Sequence, residues 1–299
     1  MSTILNFDTI HEYNTFLGVE TFHPFISSID FSKVTREFKH ARKRYGFYMI
    51  FLKQVKCGDL IYGRHTYDYQ EGTLVFIGPG QVAGKDDTGE VFRMKGWGLC
   101  FHPDLLRGTA LGQKMKDYSF FSYESNESLH MSEREKATII HCFQEIKDEL
   151  EHSIDKHSKS IVIANLEVFL NHCTRFYDRQ FITRENINKD ILSRFETELH
   201  LYFESDKPQT IGLPSVQYFA DRAHLSANYF GDLIKKETGK SAQEYVQLNI
   251  IDRAKELLHS PDKSINEIAY ELGFKYPHHF SRLFKKKVGV SPNQYRLKN

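Results

Sequence analysis

At 299 residues the chain exceeds one small core and is long enough for two domains that fold without disulfide staples. With 40% hydrophobic and 26% charged residues it has the composition of an ordinary globular protein, and a net charge of +1 excludes a strong whole-chain field for nucleic acid. The opening MSTILNFDTIHEYN is too polar for a secretory leader and no apolar run is long enough to span a bilayer, so a cytoplasmic protein without a membrane partner is expected.

Cys57, Cys100, Cys142 and Cys173 are far apart and form no CxxC pair. They read as buried small hydrophobes, not as zinc ligands or a disulfide framework. From about residue 15 to 101 the texture is that of strands. Runs rich in aromatic and β-branched residues, Tyr45 to Lys53, Asp59 to Tyr62, Thr73 to Ile77 and Phe92 to Phe101, alternate with turn signals at Gly58-Asp59, Glu71-Gly72 and Gly78-Pro79-Gly80. Stretches such as Phe47 to Leu52 are apolar on both faces, which requires a sheet that is closed or covered on both sides.

Helices follow, over about 132–180. Ser132 to Glu135 has the Ser-x-x-Glu form of a capping box. Behind it Ile139, Phe143, Ile146 and Leu150 recur at heptad-like steps, as do Val162, Leu166, Phe169, Cys173 and Phe176. These seams fit either packing onto the sheet or a helix pair that docks on a second copy of the chain. The polar stretch 183–190 reads as a linker between a domain at 1–182 and a helical one at 191–299.

The helical part contains a duplication. Phe230, Leu233, Lys235, Lys236, Gly239, Ser241 and Tyr245 recur fifty residues later as Phe280, Leu283, Lys285, Lys286, Gly289, Ser291 and Tyr295. Upstream the offset is 49, with Ser215-Val216 and Phe219-Ala220 answered by Ser264-Ile265 and Ile268-Ala269, so the second copy has one extra residue in its turn. Each copy, about 215–238 and 264–287, has the grammar of a helix-turn-helix: a serine cap, a short helix with an alanine at the crossing, a turn at His224-Leu225 or Gly273, and a second helix.

The second helices carry two faces. Phe230, Leu233 and Ile234, or Phe280, Leu283 and Phe284, suit a core. Asn228, Gly231, Asp232 and Lys235, or His278, Ser281, Arg282 and Lys285, fall on the other side. Short polar residues near the helix start with cations further along suit a helix entering a major groove, where the first read base edges and the second meet phosphate. From Leu272 to the end stand Lys275, Arg282, Lys285, Lys286, Lys287, Arg296 and Lys298 with no acid among them, a local footprint for phosphate on a nearly neutral protein. A helix from about Ser241 to Leu258, roughly 25 Å long, joins the copies and would hold two reading heads about one DNA turn apart.

Arg253-Ala254-x-x-Leu257-Leu258, Ser264-Ile265-x-x-Ile268-Ala269-x-x-Leu272-Gly273-Phe274, Phe280-x-x-x-Phe284-Lys285 and Gly289-x-Ser291-Pro292-x-x-Tyr295-Arg296 together resemble the AraC/XylS family of bacterial regulators over about 191–298. More weakly, the sheet-then-helices order, the turn from Phe76 to Gln81 and the segment from Phe101 to Leu106 look like that family's cupin-like sensing and dimerisation domain. The resemblance implies an α+β two-domain protein: an antiparallel cupin-like barrel followed by two helices, then an all-α tandem helix-turn-helix domain. It implies a sequence-specific transcription regulator whose partners are double-stranded DNA, a small-molecule effector, a second copy of itself and RNA polymerase.

Carried onto this chain, the DNA-reading positions are Asn228, Tyr229, Gly231, Asp232, Lys235 and Lys236 in the first unit, and Tyr276, Pro277, His278, His279, Arg282 and Lys285 in the second. Asp232 departs from the family, which often has a long polar side chain there; an aspartate repels phosphate but accepts a hydrogen bond from cytosine N4, so either the base preference is unusual at that position or the first unit contributes mainly phosphate contacts. Arg282 suits guanine. His40, Arg42, Arg44, Tyr48 and Trp97 are the candidates for binding an effector, since a basic group in an aromatic pocket suits a sugar or an anionic metabolite. The alternative, a cupin-type metal-dependent enzyme, needs clustered histidines. Here Arg64-His65-Thr66-Tyr67 offers one, His23, His40 and His102 stand singly, and no catalytic spacing or cofactor motif occurs, so neither catalysis nor a cofactor or metal is expected.

Overall fold

A computed structural model describes the chain except residues 1–3, 54–59, 63–64, 68–71, 85, 88, 124–126, 154, 260–261 and 299. By internal contacts it divides into two units, Met1–Thr183 and Arg184–Asn299.

The first unit opens with β1 (Leu5–Phe7) and α1 (Ile10–Leu17). The expected sheet began near residue 15, but α1 precedes it. Thr9 and Glu12 form a full capping box, and Ile10, Tyr13 and Leu17 at helical spacing are buried. The strands follow as β2 (Ile26–Asp30), β3 (Phe38–Lys39), β4 (Lys43–Tyr45), β5 (Tyr48–Lys53), β6 (Leu60–Tyr62), β7 (His65–Tyr67), β8 (Thr73–Ile77), β9 (Val82–Ala83), β10 (Val91–Phe92) and β11 (Gly96–Phe101). Then come α2 (Ala110–Lys114), β12 (Leu129–His130), α3 (Glu133–Glu151) and α4 (Ser158–Thr183). Two expected strands are split. A Cβ at Gly46 would meet the Asp8 backbone at 3.0 Å, and Gly96 sits at φ 103°, so the chain bends at both places.

The central sheet runs β12-β8-β5-β11-β2, antiparallel throughout. Among the described residues the other strands pair as β1-β4-β9, β10-β3 and β6-β7, so the unit is a mixed α+β arrangement and no continuous ladder closes it into one barrel. Both faces of the central sheet are nonetheless covered. On one face Ile29, Met49, Val75, Ile77 and Cys100 join Phe7, Tyr13, Tyr45 and Phe47 in an aromatic-rich core. On the other lie α3 and α4. Trp97 stacks on Phe143 at 5.7 Å, Phe76 meets Tyr177 at 5.9 Å, and Ser28 Oγ donates to the Phe143 carbonyl at 2.8 Å.

The capping box of α3 is present at Ser132 and Glu135. The same carboxylate receives Arg179 of α4 at 2.8 Å, tying the two helices. Ile139, Phe143, Ile146 and Leu150, the candidate dimer residues, are all buried against the sheet and α4, so of the two readings of that seam the packing within the chain is the one the structure fills. Cys100, Cys142 and Cys173 are free and buried, and Cys57 lies outside the described residues.

The expected linker 183–190 is not irregular. It holds the last residue of α4, a break at Arg184, and the start of α5 (Glu185–Glu204). Phe195 on that helix packs at 4.9 Å from Phe219, 5.2 Å from Phe230 and 5.5 Å from Tyr245, so the helix belongs to the second core. The rest of the second unit is helical: α6 (Lys207–Thr210), α7 (Val216–Ala223), α8 (Ala227–Thr238), α9 (Ala242–Leu258), α10 (Ile265–Glu271), α11 (Pro277–Val288) and α12 (Pro292–Lys298). The connecting helix α9 packs against α8 on one side and α10, α11 and α12 on the other. Among the described residues no helix is long and apolar enough to cross a membrane.

The two helix-turn-helix turns are built alike. His224 at φ 57° and Gly273 at φ 91° reverse the chain in the left-handed region, and the following N–H groups of Leu225 and Phe274 donate at 2.9 Å to Ala220 and Ala269. His224 tolerates the conformation at a cost of about 1 kcal/mol. At Gly273 a Cβ would also meet the backbone of Gly212 at 2.8 Å, so the second turn needs glycine for space as well as for φ.

Two outcomes follow for stability. Phe143→Ala should cost about 3–5 kcal/mol in the first unit. It should also shift the emission of Trp97, the single tryptophan, which fluorescence-monitored urea unfolding would show. Gly273→Ala should cost about 2 kcal/mol or more, whereas His224→Gly should stay within about 1 kcal/mol of the parent, because relieved strain and greater unfolded-chain freedom oppose each other. Thermal melts of the pair, followed by helical circular dichroism, check the difference.

Candidate nucleic-acid interface

The helices α8 and α11 are the second helices of the two units, and their serine and proline starts differ. Ser226 accepts the Tyr229 N–H at 3.1 Å as an N-cap. At α11 Tyr276 gives no side-chain cap, and Pro277 occupies the first turn, where an N–H would have no partner in the helix. The N-terminal N–H groups of α11 are thus left without a side chain over them, a favourable place for phosphate oxygen.

Burial sorts the candidates. In α8, Phe230, Leu233 and Ile234 are buried, Asn228 and Lys235 are exposed, and Gly231 and Asp232 are half-buried. Tyr229 is only 4% exposed and sits in the core, which corrects its assignment as a DNA contact. Its i, i+4 relation to Leu233 was a readable sign of the inward face. In α11, Phe280 and Phe284 are buried, while Tyr276, His278, His279, Arg282 and Lys285 are exposed. The rings of Tyr276, His278 and His279 cluster at the helix start, with the two histidines 4.3 Å apart.

The basic residues near the C-terminus separate into two groups. Lys287 pairs with Glu244 of α9 at 3.0 Å, and Arg296 Nε donates to the Leu258 carbonyl at 3.3 Å, so both hold the helices together. Among the described residues Lys235, Arg282, Lys285 and Lys286 make no ion pair or hydrogen bond, and all are exposed. Cations without a carboxylate are free to neutralise phosphate. Lys286, the second lysine of the repeated Lys-Lys doublet, is also exposed, though Glu244 lies within reach of its charge.

The effector candidates do not converge. Trp97 and Tyr48 lie on the helix-covered face of the sheet, Trp97 on Phe143 and Tyr48 on Phe101 at 4.8 Å. Arg44 is held by Asp8 and Asn6, each at 2.8 Å. His40 stacks on Phe92 at 4.6 Å and, with Arg42, borders a separate groove. The reason is alternation: Tyr48 and Trp97 fall on the opposite side of their strands from the inner core. His23 and His102 accept neighbouring backbone N–H groups, and Arg64 lies outside the described residues.

A family model described as a helix-turn-helix domain matches residues 219–298. The HTH-type transcriptional regulator YfiF of Bacillus subtilis is 25% identical over 264 residues, 88% of this chain and 81% of that protein. The HTH-type transcriptional activator RhaS of Escherichia fergusonii is 35% identical over 82 residues, which is 27% of this chain and 30% of RhaS. Among solved structures, the C-terminal domain of AraT, a response regulator from Geobacillus stearothermophilus, is 32% identical, with 36% of this chain and 85% of that one covered and a TM-score of 0.33. The C-terminal part thus carries a helix-turn-helix domain of the AraC type, shared with transcription regulators, and the chain is a DNA-binding transcription regulator.

Proposed function

We propose that the second unit reads a specific duplex sequence by placing α8 and α11 in successive major grooves. The observation that carries this reading is the outer face of α11, where Arg282, Lys285 and Lys286 stand exposed and unpaired beyond the exposed rings of His278 and His279. In the assignment, Arg282 reads guanine, His278 and His279 meet base edges near the helix start, and Lys285 meets phosphate. In α8, Asn228, Gly231 and Asp232 face the bases, Asp232 accepting from cytosine N4, while Lys235 and Lys236 approach the backbone. A 17-residue α9, about 25 Å long, suits heads spaced near one helical turn of DNA.

Residues 1–182 act as a cupin-like sensing and dimerising half that takes a small-molecule effector, and residues 191–299 as the reading half, in the cytoplasm. With the inner seam of α3 filled, the surface for a second copy is the outer face of α4, where Ile161 and Val168 are 43% and 49% exposed. The effector acts by differential affinity for states that differ in DNA binding, and RNA polymerase is the partner downstream.

Selection from random duplex fragments at stepped salt, followed by sequencing, tests the reading. Arg282→Ala should lose about 1–3 kcal/mol and relax one position of the recovered motif. Lys285→Ala should weaken all sequences alike and lower the salt slope by about one. Absence of binding at low salt would overturn the proposal. Val168→Glu should shift sedimentation towards monomer without altering the circular dichroism; an unchanged oligomeric state would remove α4 from the dimer.

A further inference from the structure

Where the effector sits is not settled by a hollow interior, because among the described residues the inner core of the first unit is filled by Phe7, Tyr13, Tyr45, Phe47 and their neighbours. Outside that core lies a groove of about 390 Å³. Its walls come from Leu5 of β1, Phe16 of α1 and the stretch 36–42 around β3, with Asp86 and Asp87 at the border.

Phe16 collects cations. The Arg36 guanidinium lies 5.6 Å and the Lys43 ammonium 5.8 Å from the centre of its ring. Arg36 Nη1 is also held by the Phe16 carbonyl at 2.9 Å, which fixes the guanidinium in place. Lys43 is half-buried between β1 and β9, and makes no ion pair or hydrogen bond among the described residues. Lys39 and Arg42 add exposed positive charge along the wall. Of the acids, Glu37 is engaged by Arg93 at 3.3 Å, and Asp87 accepts the Gly89 N–H at 2.8 Å.

The half-buried Lys43 ammonium has the Phe16 ring beside it but no carboxylate among the described residues, and burial holds its pKa below the ordinary lysine value. A ligand carboxylate or phosphate would supply the missing partner, and the rings of Phe16 and Phe38 would cover an apolar body. We propose that this groove binds a small organic anion, a carboxylate or phosphate group on an apolar body, with Arg36 of its lining as the direct charge partner and Lys43, against the Phe16 ring beside it, as the second cation. The proposal rests on the reading that the first unit senses an effector. It assigns that role away from Trp97 and Tyr48 and keeps only His40 and Arg42 of the earlier candidates.

The test is calorimetric titration of the full chain with benzoate, with phenyl phosphate, and with benzyl alcohol as the neutral match. One site per chain for at least one anion, and none for the alcohol, is expected; the two anions distinguish a carboxylate from a phosphate source. Lys43→Met keeps the apolar stem and should weaken binding by about tenfold or more. Should Lys43→Met fail to fold, judged by Trp97 emission, the surface double variant Lys39→Ala with Arg42→Ala should weaken binding instead. No heat from either anion up to about 10 mM, or binding untouched by the folded variants, overturns the site. Titrating DNA in the presence of the bound anion separates the two claims. Anion binding that leaves DNA affinity unchanged keeps the groove and removes its sensing role, whereas loss of the groove leaves the DNA-reading assignment standing.

Discussion

The second helix of each helix-turn-helix, α8 and α11, is aimed by one backbone hydrogen bond, from Leu225 to Ala220 in the first and from Phe274 to Ala269 in the second, both 2.9 Å. That bond closes only if the residue before it enters the left-handed region, which His224 and Gly273 do. It also brings two helices close enough that the alanine at the crossing is completely buried. Once the angle between the helices is set in this way, burying Phe230 or Phe280 determines which side of α8 or α11 looks out. The direction of Arg282 and Lys285 is thus a consequence of the turn and the core, and not of anything the two cations do themselves.

The same core explains why charge in this domain must be sorted by partner and not by count. Lys287 and Lys285 are two residues apart on α11, but one crosses to Glu244 and the other meets no acid. A helix turns by about 100° per residue, so neighbours in a lysine run face different surroundings. The pairing of Lys287 braces α11 against α9, and that rigidity is what a helix needs to hold base contacts in register.

In the first unit the governing constraint is a sheet apolar on both faces. One face is met by α3 and α4 through Trp97, Phe76 and Ser28, the other by aromatic rings contributed from β1, α1 and β4. Filling both sides leaves polar chemistry to the rim, where Arg36, Lys39, Arg42 and Lys43 gather near α1. The N-terminal segment therefore has two roles: its inner residues complete the core and Phe16 forms part of the groove.

By itself the sequence determined the tandem helix-turn-helix, its inserted turn residue and the apolar inner residues Phe230, Leu233, Ile234, Phe280 and Phe284 of α8 and α11, because those depend on short-range periodicity and caps. It also held the capping boxes at Ser132 and at Thr9 and the two-sided apolar character of β5. Tertiary structure alone decided that Ile139, Phe143, Ile146 and Leu150 face the sheet, that residues 183–190 are largely helical, and that Trp97 and Tyr48 point away from the inner core. Those outcomes depend on which of two apolar faces meets which neighbour, and on contacts such as Ser28 to Phe143 across 115 residues. Periodicity shows that a helix or strand has a face to bury; only the assembled core shows what covers it.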